Sequence, residues 1–215
     1  MSLVSKWFLG KLGRLHAVPL AGASSVQVEL PPPDRSGGMP LMQALAQRHS
    51  ERSFAAGALS QQQLSDLLWA ADGINRPELL ERTAPSAMNA QEIVIYVALQ
   101  DGLYRYEPAK HVLALVAHAD ARRVTGLQDF VDNAPVDLVY VADHTRMLLI
   151  PEQQRTTWAA VCAGAIAQNV YLYCASAGLV TVVRALFDEA ALRSALVLSP
   201  SEKIVLTQTV GQPAR

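Results

Sequence analysis

The chain has 215 residues and a mass of 23.2 kDa, the size of one domain, and 51% of it is hydrophobic, so it can build a core without disulfide or metal staples. Its 18 basic and 19 acidic side chains leave a formal net charge of -1 with a mean hydropathy of +0.16, which excludes the broad basic field of a bulk nucleic-acid binder. Cys162 and Cys174 fall in one expected helix, roughly 18 Å apart at 1.5 Å per residue, and this separation excludes a disulfide framework.

In chain order, residues 1–24 place Lys6, Lys11 and Arg14 ahead of a weakly apolar stretch and Ala21-Gly22-Ala23. The plan imitates a signal peptide, but His16 and Pro19 break the apolar run, so a cytoplasmic protein is expected, with export as the alternative. Pro31-Pro32-Pro33 stiffens the chain and Gly37-Gly38 frees it, which reads residues 1–38 as an arm wrapping onto a body of residues 39–215. Leu41, Ala44, Leu45 and Arg48 suggest a short helix. Ser60-Gln61-Gln62-Gln63 has the spacing of a capping box, and Leu64, Leu67, Leu68 and Ala71 recur at helical intervals until Gly73. Residues 93–99 and 103–106 are β-rich runs joined by Gln100-Asp101-Gly102, a hairpin signal. A helical stretch is expected over 119–130 and strands over 136–142 and 203–210.

Residues 156–183 carry no charge, a length that could cross a bilayer on paper. Gln168, Asn169 and Ser176 and the lack of a second span favour a buried helix, and a helix apolar all round must be covered all round, which a second copy of the chain could do. A strand over 180–183 and a short helix opening at Asp188, a good N-cap, follow. Mixed element order with a hairpin indicates an α+β fold, with a mixed, mostly antiparallel central sheet flanked by helices, rather than a doubly wound parallel sheet.

The common loop motifs for nucleotides, metals and acyl transfer are absent, and no metal site is expected. His111 and His118 would share a helix face, without a carboxylate or thiolate in register, and His144 reads as a loop residue. Two clusters remain. In Arg48-His49-Ser50-Glu51-Arg52-Ser53-Phe54, alternation in an extended segment points Arg48, Ser50 and Arg52 to one side, two guanidinium forks and a hydroxyl suited to a phosphate; a solvated loop is the alternative. In Thr83-Ala84-Pro85-Ser86-Ala87-Met88-Asn89-Ala90-Gln91, small residues admit a flat ligand while Asn89 and Gln91 offer amide donors and acceptors; a polar loop capping the next strand is the alternative.

Arg48-His49-Ser50-x-Arg52-x-Phe54, then Pro85-Ser86-Ala87-x-Asn89-x-Gln91, then Ala177-Gly178-Leu179 running into Phe187-Asp188, resembles the nitroreductase family of FMN-dependent oxidoreductases, over residues 41–211. The resemblance implies FMN as cofactor, with Arg48, His49, Ser50 and Arg52 on its phosphate side. It implies that Pro85, Ser86, Ala87, Asn89 and Gln91 reach the flavin from the opposite subunit of a homodimer whose core is the long helix. It places the backbone amides of the stretch Val183-Arg184-Ala185-Leu186 beside the flavin ring near N5, where many relatives carry a glycine, and leaves Arg215 as the basic residue after the last strand.

The implied activity passes hydride from NAD(P)H through the flavin to an electron-poor small molecule, nitroaromatic or quinone-like, with no membrane or nucleic-acid partner. The cofactor carries that chemistry, so no side chain is assigned as catalytic acid or base. The alternatives are a flavin-binding protein without efficient turnover, which the bulky Leu186 suggests, an azoline-type dehydrogenase, whose adjacent Lys-Tyr pair does not occur here, and a catalytically empty scaffold acting through the Pro-rich arm.

Overall fold

The computed structural model describes residues 26–214, so the leader-like features of residues 1–24 and Arg215 lie outside the described residues. Nine strands are described: β1 (Gln27–Glu29), β2 (Ile74–Arg76), β3 (Glu81–Arg82), β4 (Ile93–Ala98), β5 (Leu103–Glu107), β6 (Val112–Ala117), β7 (Val136–Asp143), β8 (Val180–Arg184) and β9 (Glu202–Gly211). Four helices join them: α1 (Leu41–Gln47), α2 (Gln61–Asp72), α3 (Glu152–Ala177) and α4 (Glu189–Ala195). Seven strands form one sheet in the order β1-β6-β5-β4-β7-β9-β8, and every pairing in it is antiparallel. The expected α+β class, with its largely antiparallel sheet flanked by helices, holds.

The sheet separates two apolar layers. On one face α2 and α3 pack Leu67, Leu68, Ala163, Ile166 and Val170 against Ile95, Val97, Leu138 and Tyr140. On the other, Val94, Tyr96, Val139 and Val141 meet Leu192 and Leu196 of α4 and its C-terminal end. Central β4 is therefore buried along its whole length, and each such aliphatic side chain contributes about 1.5–3 kcal/mol. The capping box of α2 forms as its spacing predicts: Ser60 Oγ accepts from Gln63 N–H at 3.1 Å, and Gln63 Oε1 accepts from Ser60 N–H at 3.0 Å.

Three expectations change. The body begins before Met39, because β1 adds Gln27–Glu29 to the sheet edge beside β6. The rest of the arm does wrap: Ser65 Oγ donates to Pro31 O, Asp34 N–H to Asp66 Oδ1 and Met39 N–H to Ser176 Oγ. The stretch 119–130 is two 3₁₀ turns, Arg122–Thr125 and Asp129–Asp132, split by an extended Gly126. A Cβ at Gly126 would meet the Arg184 guanidinium at 1.8 Å, so long-range packing decides this break. His111 and His118 flank strand β6 and share no helix face; His111 bonds Tyr106 Oη and Ser65 Oγ at 2.9 and 2.7 Å.

The uncharged run ends as a helix at Ala177, where Gly178 takes a left-handed φ of 68° and the chain re-enters the sheet as β8. α3 is long and apolar enough to cross a membrane by length and composition, and one face of it packs on the sheet. Its other face carries Trp158 and Val161, 36% and 68% exposed, so within one chain this helix is covered on one side only.

Candidate functional site

The first cluster lies along the open edge of β8. Arg48 ends α1, with its N–H donating to Ala44 O at 2.9 Å, and turns the chain into an extended path. Glu51 N–H then donates to Thr181 O at 3.1 Å, and two positions along the same edge Val183 N–H donates to Tyr171 Oη at 3.0 Å. Tyr171, buried on α3, shares a 2.7 Å hydrogen bond with Ser50 Oγ, and the Arg48 guanidinium sits 5.3 Å from its ring centroid. His49 Nδ1 donates to Gln47 O at 2.8 Å. Glu51 accepts the N–H groups of Arg52 and Ser53, which holds its carboxyl below the ordinary carboxylate range. The Arg52 side chain is exposed and forms no ion pair among the described residues. The segment, a cationic strip, carries Arg48 against the Tyr171 ring, Ser50 bonded to the Tyr171 hydroxyl and Arg52 exposed, two guanidinium groups and a hydroxyl of the kind an anion such as a phosphate takes.

The strip continues into a bridge between Phe54 and Pro213, with Ala55 N–H on Gln212 O and Ala214 N–H on Ser53 O. The end of the described chain thus lies beside the cationic strip, while Arg215 itself is outside the described residues.

The second cluster is a tight loop held from beneath. Met88, Asn89 and Gln91 adopt left-handed φ values of 53°, 54° and 49°, a conformation side chains rarely take. Gln91 fixes it: its N–H donates to Ser86 Oγ, and its amide donates to Leu80 O and Asn89 Oδ1 at 2.7 and 3.0 Å while accepting from Arg82 Nε at 3.0 Å. Gln91 is 6% exposed with its amide fully engaged, so it holds the loop and does not offer that amide to a ligand, contrary to the reading from sequence. Arg82 is itself ion-paired with buried Asp72, whose carboxyl burial lifts to about 6 against the opposing pull of Arg82. Pro85, Ser86 and Ala87 face a recess of about 370 Å³ closed by Trp158, Val161 and Cys162 of α3. The Cys162 thiol is pushed up to about 12 by burial and by neighbouring Glu92, so it is an inert thiol.

The two clusters do not meet within one chain. The loop docks on α3 at Cys162 and the cationic strip at Tyr171, about 13 Å apart along the helix axis.

The third stretch enters the reading through its backbone amides. The Arg184 side chain turns into the protein, where it pairs with Asp137 at 2.6 Å and donates to Thr125 O and Thr209 Oγ1 at 2.8 and 2.7 Å. Only its backbone remains at the end of β8. Ala185 and Leu186 follow it in the open, with Leu186 59% exposed. Sequence reasoning missed Tyr171 and Arg82, the residues that position each cluster. A tyrosine hydroxyl in an uncharged buried helix is the signal for the first, since a buried phenol needs a partner.

A larger cavity, about 530 Å³, opens where Leu30, Leu59, Tyr104 and Arg122 meet, and none of the candidate site residues lines it. Among the described residues no group of three or more His, Cys, Asp or Glu could hold a metal ion.

Known proteins resemble this chain in sequence and fold. The family model described as the nitroreductase family matches residues 45–212. A protein of Methanocaldococcus jannaschii named as a nitroreductase is 29% identical over 182 residues, covering 80% of this chain and 90% of its own. A solved structure described as a nitroreductase from Ralstonia eutropha JMP134 is 49% identical with a TM-score of 0.85, covering 92% of this chain and 94% of that one. Another, from Desulfovibrio desulfuricans in complex with FMN, shares the fold at a TM-score of 0.60 and 23% identity, covering 82% and 88%. The matched region contains the cationic strip, the Pro85–Gln91 loop and the turn after α3, and the chain belongs to the nitroreductase family.

Proposed function

We propose that this protein is an FMN-dependent oxidoreductase, acting as a homodimer, that takes hydride from NAD(P)H and delivers it to an electron-poor small molecule such as a nitroaromatic or a quinone. The observation that carries the reading is the segment Arg48, Ser50 and Arg52 beside the edge of β8: two guanidinium groups and a hydroxyl within five residues suit the phosphate of FMN. When bound, FMN supplies the hydride chemistry. Arg48 and Arg52 neutralise the phosphate, His49 adds a ring edge beside them, and the rigid Pro85–Ala87 segment offers a flat wall for a ring. Because strip and loop engage α3 about 13 Å apart, the reading has a second copy supply the loop that faces a given strip.

A second reading, flavin binding without efficient turnover, is favoured by exposed Leu186 at the ring end of β8, where bulk narrows access to the flavin.

The test is the visible spectrum of freshly purified protein and of the supernatant after heat denaturation. A yellow protein that releases FMN, and an Arg48→Ala/Arg52→Ala variant that loses it while remaining folded, are the expected results. A folded protein that neither carries nor takes up FMN overturns the reading. Turnover with NADH or NADPH separates the enzyme from the flavin carrier.

A further inference from the structure

We infer that Tyr171 is a positioning residue that makes the cationic strip selective for a phosphorylated flavin, an inference that rests on the reading of the strip as the FMN phosphate site. Three contacts converge on this one side chain. Val183 N–H donates to Oη at 3.0 Å, Ser50 Oγ lies 2.7 Å from the same oxygen, and the Arg48 guanidinium lies 5.3 Å from the ring centroid.

Their polarity has a direction. Val183 is a backbone donor on the edge of β8 and can only give its hydrogen, so Oη is an acceptor there. With Oη donating onward to Ser50 Oγ, the Ser50 hydrogen is released to point outward, toward an anion lying between Arg48 and Arg52. The chain runs Val183 N–H to Tyr171 O–H to Ser50 O–H, and each link polarises the next. The reverse arrangement, Ser50 donating to Tyr171, would aim a lone pair at the phosphate and oppose its binding.

The ring adds a second constraint. Tyr171 is 7% exposed and belongs to α3, so its face is a fixed shelf that keeps the Arg48 guanidinium from swinging into solvent. One buried residue thereby sets both the hydroxyl and one guanidinium of the phosphate site. It also ties them to Val183, the first residue of the stretch whose backbone amides the family resemblance places beside the flavin ring. Selectivity for the phosphate end follows because the two groups that Tyr171 sets, the Ser50 hydroxyl and the Arg48 guanidinium, are those the reading assigns to the phosphate.

The experiment measures dissociation constants for FMN and for riboflavin, which lacks the phosphate, by flavin fluorescence on the full chain stripped of cofactor. The variants are Tyr171→Phe, Ser50→Ala, their double, and Arg48→Ala/Arg52→Ala. Tyr171→Phe keeps the shelf and removes the relay, so FMN binding is expected to weaken about three- to tenfold, the value of one neutral hydrogen bond, with riboflavin binding unchanged. The double variant is expected to be no weaker than Ser50→Ala alone, because both remove one relay. Equal weakening of FMN and riboflavin, unchanged FMN binding, or additive losses in the double variant overturns the proposal. Should Tyr171→Phe fail to fold, Ser50→Ala carries the same FMN-against-riboflavin readout. If Arg48→Ala/Arg52→Ala binds FMN as tightly as the wild type, the strip is not the phosphate site and the parent reading fails, whatever Tyr171 does.

Discussion

Arg184 shows how one side chain can be claimed by the fold before a ligand reaches it. It is 6% exposed and Asp137 is 0% exposed, and the pair is satisfied further by Thr125 and Thr209. Removing one member of such a pair leaves an uncompensated buried charge, so Arg184→Ala is expected to cost about 3–5 kcal/mol in urea unfolding. At temperatures where the variant remains folded, it should keep its flavin. Flavin loss with an unchanged unfolding midpoint would place Arg184 in the ligand site instead. Asp72 makes a prediction of a different kind. Burial raises its carboxyl from 3.8 to about 6, so between those values the folded protein holds a proton that the unfolded chain has lost. The stability from this group is fully present below the unfolded value and is lost as pH rises through about 6. Asp72→Asn removes the titration, and the downward slope of unfolding free energy with pH across that window should flatten. An unchanged slope would show that Asp72 titrates normally and is ionised beside Arg82.

At the scale of elements, the capping box of α2 is the clearest local device. Ser60→Ala removes the acceptor for Gln63 N–H and should cost about 1 kcal/mol, read by chemical denaturation, with flavin binding untouched because Ser60 Oγ caps the helix and is no part of the cationic strip. A loss near zero would mean that packing on α3 alone fixes the start of the helix. The cap was legible in the sequence because all of its partners lie within one turn, and the hairpin of β4 and β5 was legible for the same reason. Elements set by distant residues were not. Gly126 breaks the expected helix over 119–130 because a guanidinium from β8 occupies the space of its Cβ. β1 is three residues long and acquires meaning only beside β6. The site divides the same way. Arg48, Ser50 and Arg52 declare themselves by alternation along one short segment. By contrast, the commitment of Gln91 to Arg82, Leu80 and Asn89, and that of Arg184 to Asp137, depend on partners that the local sequence does not display.

At the scale of the whole molecule, the outer face of α3 is the unresolved debt of the single chain. Trp158 and Val161 stand 36% and 68% exposed, and Leu148 and Leu149, ahead of the helix, 76% and 58%, while the opposite face of the helix is buried in the core. An exposed apolar helix face of this kind is stable in water when another surface covers it. The same face closes the recess that Pro85, Ser86 and Ala87 line, so covering it and completing the flavin site are one event in the proposed dimer. Val161→Glu tests that linkage, because it adds a charge to the exposed face without touching the core. Light scattering should show the wild type at twice 23.2 kDa and the variant at 23.2 kDa, with the variant losing FMN as it dissociates. A wild-type monomer that binds FMN, or a monomeric variant that retains it, would show that one chain suffices. The Pro85–Gln91 loop would then have to act as a structural cap on the next strand.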